Sequence, residues 1–415
     1  MMSYIDRPEY LNWLAKWRGH DIVKVLTGVR RCGKSTILEM YRSMLVAQGV
    51  EAEQIISINL ENPDTEKELG SGLCLYNYVK DRCGDETLKY VFIDEAQHLE
   101  EFERTIAGLG LLPSVDLYIT GSNSHFLSRD LADRLTGRYV ELHVLPLSFR
   151  EYMSAPPLDR PDEGSGGGKP GRAAIDPLQT YLDQGGFPFV RRIEGDRQMA
   201  GNYLRDVLNT IILKDIAPRQ SSFSPTLFDS VLSFVFDNIG NLSTVNKISD
   251  TLTSMGRKTG RTAVENYVSG MVDSFLVYPA RRYDLRGKMY LEHSTKNYVV
   301  DTGMRRALLG SRNPDYGHVL ENAVFLELLR RGDKVSVGRI DRSEVDFLAD
   351  GPTGLTYIQV SQTVDDPAVL ERELAPLRAI PDHHPRLLLV GVDRPAVLHE
   401  GIRQLSVRDW LLGET

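Results

Sequence analysis

Gly28-Val29-Arg30-Arg31-Cys32-Gly33-Lys34-Ser35-Thr36 decides how the first third of this chain is read. The nine residues fit the phosphate-binding spacing G-x-x-x-x-G-K-[ST], and each fixed position has a physical reason. Gly28 and Gly33 permit a tight turn whose backbone N–H groups face inward around anionic oxygens. Lys34 brings an ammonium to the β- and γ-phosphates. The Ser35 hydroxyl suits Mg²⁺, and the following helix points its positive dipole end at the phosphates. The implied ligand is a nucleoside triphosphate, ATP, with Mg²⁺. The flanks agree. Ile22 to Thr27 is a short apolar, β-branched run that predicts a strand, and 35–47 places Ile37, Leu38, Tyr41, Met44 and Leu45 on one helical face.

Further along, Lys89-Tyr-Val-Phe-Ile-Asp94-Glu95-Ala-Gln-His98 reads as an apolar strand ending in two carboxylates. It resembles a Walker B element, in which Asp94 holds Mg²⁺ through water and Glu95 polarises the water that attacks the γ-phosphate. A third strand, Val115 to Thr120, runs into Gly121-Ser122-Asn123-Ser124. In ring-forming ATPases, which this arrangement resembles, a polar residue here touches the γ-phosphate or the lytic water. Asn123 or Ser122 stands at that place.

Composition narrows the class. A chain of 415 residues, 41% hydrophobic, has material for two to four domains. Its three cysteines, Cys32, Cys74 and Cys83, form no C-x-x-C, which argues against disulfides and zinc and for a reducing cytoplasm. Cys32 fills a variable loop position where a small residue is tolerated. The N-terminal Met-Met-Ser-Tyr-Ile-Asp-Arg-Pro lacks the apolar region of a signal peptide. No run of 18 apolar residues predicts a membrane span. A net charge of −8 excludes a globally basic nucleic-acid binder and leaves room for a local basic face.

The predicted fold class is α/β. Residues 1–154 alternate strands and helices, as a P-loop parallel sheet with helices on both faces does. Residues 155–177 are rich in Gly and Pro and predict a flexible linker. Residues 178–225 read as a helical subdomain around Leu204, Val207, Leu208, Ile211 and Ile212. Residues 226–300 hold three helical patterns followed by two strands, 276–283 and 289 onward. Three helices and a hairpin describe a winged helix-turn-helix. Between 257 and 288 stand seven basic residues, Arg257, Lys258, Arg261, Arg281, Arg282, Arg286 and Lys288, against three acidic ones. This local excess predicts contact with DNA phosphates. A winged helix used for protein contacts is the other reading.

Residues 301–415 predict helix, three strands, helix and strand, an order that resembles the PD-(D/E)XK nuclease core. That resemblance implies a Mg²⁺ site from Glu321 on the helix, Asp346 on the second strand and an E-x-K on the third. The third strand carries Gln359-Val360-Ser361 instead. Gln lacks the charge to hold a divalent ion well, and Ser cannot replace an ammonium. The module is therefore expected to keep the fold without nuclease activity.

Taken together, G-V-R-R-C-G-K-S-T, F-I-D-E-A-Q, I-T-G-S, L-T-G-R-Y-V with L-P-L-S-F-R-E-Y, G-G-F-P, and E-V-D-F with Y-I-Q-V resemble one prokaryotic family. It comprises archaeal-type AAA+-like P-loop ATPases with a winged helix and a degenerate nuclease-like C-terminal domain. The resemblance implies a homo-oligomer in which an arginine of one subunit completes its neighbour's site. Arg138 is the first candidate and Arg134 the second; Arg30 and Arg31 neutralise phosphates or reach the next subunit. The expected function is Mg²⁺-dependent ATP hydrolysis coupled to DNA binding or remodelling, in the cytoplasm and without a membrane. Two other readings stay open. One is an ATP/ADP signalling switch of the STAND type whose winged helix contacts protein. The other is an ATP-controlled nuclease.

Overall fold

The computed structural model describes residues 4–83, 87–124, 133–135, 137–155, 176–193, 196–257, 259–310 and 315–414, without the side chains of 292 and 293. The chain forms two compact units: Met1–Leu145 with Asp273–Phe275, and Pro146–Val272 with Leu276–Thr415. Both are α/β. Most of the segment expected as a linker, 156–175, lies outside the described residues.

The first unit is built on five parallel strands: β1 (Val23–Thr27), β2 (Ile55–Asn59), β3 (Lys89–Asp94), β4 (Val115–Gly121) and β5 (Tyr139–His143). Their order is β2-β3-β4-β1-β5. Alternation of side chains sends Val23, Val25, Val91, Ile93, Leu117 and Ile119 to one face. There they meet Leu75, Val79, Ile106 and Leu109 from the helices Gly72–Arg82 and Phe102–Leu109. The other face packs on the helix Lys34–Ala47. Phe92 stacks on Tyr118 at 4.9 Å between centroids, and Tyr41 of that helix lies 5.3 Å from Tyr118. Helices therefore cover both faces, which is why these strands read as nearly continuous apolar runs.

Register fixes where the motifs fall. Thr27 pairs with Gly121 on one side and His143 on the other, and Asn59 pairs with Asp94. The carboxyl ends of all five strands thus share one edge of the sheet.

One polar element is buried in this core. Lys24, on β1, is fully buried, and its ammonium meets Asp116 at 2.5 Å and the His20 carbonyl at 2.8 Å. The Asp116 carboxylate also accepts from Tyr118 Oη at 3.0 Å and Gly19 N at 2.8 Å. The ammonium is matched at both ends, so β1 carries a charge without an orphan.

The second unit opens with helices that include Pro177–Gln184, Arg197–Ile211, Pro225–Asp237, Val245–Ser254 and Arg261–Asp273. A nine-stranded sheet follows, with helices Thr302–Leu309, Tyr316–Arg330, Pro367–Arg378 and Val407–Leu412. Its strands are β6 (Leu242–Ser243), β7 (Val277–Asp284), β8 (Met289–Val299), β9 (Lys334–Ile340), β10 (Ser343–Gly351), β11 (Gly354–Ser361), β12 (Arg386–Val390), β13 (Val397–His399) and β14 (Ile402–Ser406). The order is β13-β14-β12-β11-β10-β9-β7-β8-β6. The three helices and hairpin expected over 226–300 are present, and so is the α-β-β-β-α-β succession after 316. The hairpin does not stand apart, because β7 pairs with β8 on one side and, in parallel, with β9 on the other.

The Gly-Gly-Phe-Pro motif is structural. Gly186 N donates to Asp301 Oδ2 at 2.7 Å, and Met304 N to Asp301 Oδ1 at 2.8 Å. Gly185 has φ +83°, and a Cβ there would lie 2.1 Å from the carboxylate. The turn wraps a buried acid too closely for any side chain.

Asp116→Ala should cost ~3–5 kcal/mol, because it leaves the Lys24 ammonium buried without its counter-charge. Urea denaturation measures this, and Lys24→Met in the same chain should recover part of the loss.

Candidate functional site

The loop Gly28–Thr36 leaves β1 at the carboxyl edge and feeds the helix Lys34–Ala47. Its shape needs left-handed backbone at Gly28 (φ +144°), Arg31 (φ +66°) and Gly33 (φ +107°). At Gly28 a Cβ would stand 2.2 Å from the Val144 carbonyl, just past β5, so the close approach admits glycine alone. Lys34 is buried, and its Nζ donates to the carbonyls of Gly28 at 2.8 Å and Val29 at 3.1 Å. Cys32 is fully buried, and burial pushes its thiol above the usual range. Arg30 is buried and faces Glu61 at 3.5 Å, whereas Arg31 is exposed.

The two carboxylates of the second motif stand in different environments. Asp94 accepts from Thr120 Oγ1 at 2.6 Å and from the Ser35 hydroxyl. Burial nonetheless pushes its pKa up. Burial pushes Glu95 the same way, but the Lys34 ammonium, the Gln97 amide and the Arg30 guanidinium outweigh it and hold this carboxyl below its ordinary value. Glu95 itself is left-handed (φ +52°), with its N–H donated to Thr120 Oγ1 at 2.9 Å. Gln97 Nε2 donates to Glu95 Oε2 and, at 3.2 Å, to Ser122 Oγ. Ser122 and Asn123, both buried, follow β4 on the same edge. Lys34, Ser35, Asp94, Glu95, Ser122 and Asn123 are thus brought to one place.

The donor set suits magnesium. A serine hydroxyl and a carboxylate in mutual contact, beside a lysine and a helix N-terminus, are the hard oxygen ligands and phosphate neighbours that this ion takes.

Arg138 and Arg134 do not join this group. Arg138 lies just before β5, its carbonyl accepting from Val23 N at 3.0 Å at the start of β1. It is therefore a strand's length, about 17 Å, from the loop of its own chain. Both arginines are exposed.

Two residues at the loop escape a motif search. Arg7 is buried and donates to the Cys32 carbonyl at 3.0 Å and the Leu145 carbonyl at 2.9 Å, tying the loop to the end of β5. His143 contacts Thr27 Oγ1 at 3.0 Å, and burial with the nearby Lys34 charge lowers its pKa to about 4, so the ring is neutral near pH 7. A lone Arg before a Pro and a His at a strand end carry no sequence signal.

In the second unit the basic residues differ in exposure and pairing. Arg257, Arg261, Arg281 and Lys288 are exposed, Arg257 donating to the Thr226 carbonyl at 3.3 Å. Arg286 pairs with Asp341 at 2.7 Å and Arg282 with Glu344 at 3.8 Å, both carboxylates belonging to the β9–β10 hairpin region. Lys258 lies outside the described residues.

Glu321 and Asp346 do come together, around a group that no motif announces. Lys296 Nζ, from β8, lies 2.9 Å from Glu321, 2.8 Å from Glu344 and 3.4 Å from Asp346. Tyr298 Oη donates to Glu321 at 2.6 Å. Gln359 Oε1 accepts from Asp346 N at 3.3 Å while its Nε2 donates to Glu373 at 3.0 Å, and Ser361 turns to the Thr363 carbonyl. The magnesium implied by a nuclease core does not fit, because an ammonium already occupies the space between its carboxylates. Among the described residues no group of three His, Cys, Asp or Glu could hold a metal ion.

The nucleotide loop, strand order and paired carboxylates define a P-loop domain of the AAA class. Residues 20–153 match the family model described as an AAA domain, and residues 175–315 match a domain of unknown function. An uncharacterised protein of Haemophilus influenzae is 35% identical, with 99% of each chain aligned. The chain belongs to the same family as that protein. An uncharacterised protein of Methanocaldococcus jannaschii is 28% identical over 93% of this chain and 85% of its own. A Walker-type ATPase of Pyrococcus abyssi shares 14% identity, with 73% of this chain and 95% of that one covered at a TM-score of 0.45.

Lys296→Met should destabilise the protein by ~3–5 kcal/mol, since it leaves three carboxylates facing each other without a cation. The urea midpoint measures this. EDTA should leave the wild-type midpoint unchanged.

Proposed function

We propose that this chain binds ATP with Mg²⁺ at Gly28–Thr36 and hydrolyses it. The observation that carries the reading is the convergence of Lys34, Ser35, Asp94 and Glu95 on one sheet edge, at the mouth of a helix. The loop N–H groups and Lys34 bind the phosphates. Ser35 and Asp94 are the residues that would hold Mg²⁺, which neutralises charge on the β- and γ-oxygens. Glu95 accepts a proton from water as the water oxygen bonds to the γ-phosphorus and the bond to ADP breaks. Asn123 or Ser122 contacts the γ-phosphate or that water. Arg138 stands beside the start of β1, a strand's length from its own loop, and Arg134 lines the same pocket beside Val23 and Val115, so the reading assigns either arginine to a neighbouring subunit's site in a homo-oligomer.

The same proposal assigns 178–225 to a helical subdomain, 226–300 to a winged helix and 301–415 to a nuclease-like module without nuclease activity. The exposed Arg257, Arg261, Arg281 and Lys288 support DNA binding, with hydrolysis coupled to DNA remodelling. Arg282 and Arg286 support it less, being ion-paired. That pairing, and β7 lying inside a sheet, favour the second reading: a nucleotide-controlled switch whose winged helix meets protein. A cytoplasmic site agrees with the three free thiols and with the lack, among the described residues, of a helix long and apolar enough to cross a membrane.

Glu95→Gln should retain ATP binding and slow turnover by ~10²–10⁴-fold, the range for a lost general base. Steady-state phosphate release with fluorescent-nucleotide titration measures both. For the DNA half, duplex and branched DNA should bind at low salt with an affinity that falls as salt rises, and should change turnover. Binding of neither, with nucleotide-dependent particle size, would favour the switch. Plasmid cleavage in Mg²⁺ or Mn²⁺ would instead reinstate a nuclease.

A further inference from the structure

Hydrolysis by an activated water needs more than a base. The water must present a lone pair to phosphorus, so both of its O–H bonds should be held by acceptors. Glu95 offers one. Two residues along, the Gln97 side chain bridges two elements: its Nε2 donates to Glu95 Oε2 and, at 3.2 Å, to Ser122 Oγ at the end of β4. The carboxylate fixes which end of this amide faces it, since the reverse orientation would set oxygen against oxygen. The other end, Gln97 Oε1, is buried and has no hydrogen-bond partner. An amide oxygen left without a donor costs free energy, and the group that relieves it must bring an O–H or N–H.

We infer that Gln97 Oε1 is the second acceptor for the lytic water. Glu95 and Gln97 then hold its two protons, the amide fixes the carboxylate it donates to, and Ser122 fixes the amide. During the reaction the proton still passes to Glu95; Gln97 only accepts a hydrogen bond and exchanges no proton. The inference rests on the ATPase reading above, with Glu95 as base. It adds a role for the glutamine in the Asp-Glu-Ala-Gln run, which the sequence motif alone leaves unassigned.

The test uses full-length protein and two phosphate mimics. ADP with beryllium fluoride imitates bound ATP, whereas ADP with tetrafluoroaluminate imitates the in-line state that includes the attacking water. Gln97→Ala should keep beryllium fluoride affinity within about twofold, lose tetrafluoroaluminate affinity, and slow single-turnover hydrolysis on the order of 10²-fold, as a mispositioned reactant does. Gln97→Met, of similar volume, should do the same, and covers the case in which the smaller side chain fails to fold. Equal loss of affinity for both mimics would overturn the inference in favour of a purely structural glutamine. Glu95→Gln separates the two levels. If it hydrolyses ATP at the wild-type rate, the base assignment fails and this inference with it. If it is inactive while both Gln97 variants keep tetrafluoroaluminate affinity and turnover, only this inference fails.

Discussion

Strand β1 is hydrogen-bonded on both sides by parallel neighbours, β4 and β5, and the candidate site depends on that constraint. Parallel pairing aligns chain direction, so each strand delivers its carboxyl end to the same edge. Placing β1 between β4 and β5 puts the loop after Thr27 between the residues that end β4 and those that end β5. The Val144 carbonyl then presses so closely that position 28 admits no side chain. Arg7, which precedes β1, fastens the same corner by two carbonyls. Loop shape is thus set by the sheet around it as much as by its own glycines.

The second unit depends on a charged analogue of this packing. Lys296 belongs to the hairpin read from sequence as a wing, and its partners belong to the helix and strand read as a separate terminal module. With β7 paired to β9, one sheet runs through both segments. An ammonium among three carboxylates contributes little net stability as a pair, but it fixes register, since any slip of β8 would leave the charges unmatched.

What the sequence made legible follows from how local each signal is. The phosphate loop, the Asp94–Glu95 strand end and the alternation of strands and helices are written in consecutive residues, and the observed elements follow them closely. The helix expected from near Glu321, which begins about a turn earlier at Tyr316, and strands β9 to β12 were readable for the same reason. Lys24 with Asp116 and Lys296 with Glu321 were not, because each pair joins residues far apart in the chain, and a lone lysine in a strand looks like an error of pattern until its partner is seen. Gln359 and Ser361 stand where the resemblance calls for E-x-K, and the ammonium among these carboxylates comes from Lys296, some 60 positions upstream. Arg7 acts through backbone carbonyls, which have no residue code, and His143 meets the Thr27 hydroxyl across two strands far apart in the chain.

Cys32 carries a consequence of a kinetic kind. Its sulfur sits in the phosphate loop, fully enclosed, while Cys74 is exposed and Cys83 half-enclosed. A thiol reagent can reach the enclosed sulfur only when the loop opens locally, and the raised pKa slows reaction further. The loop therefore contains its own clock: the labelling rate at position 32 reports the free energy of opening the phosphate cradle, separately from unfolding of the sheet that frames it.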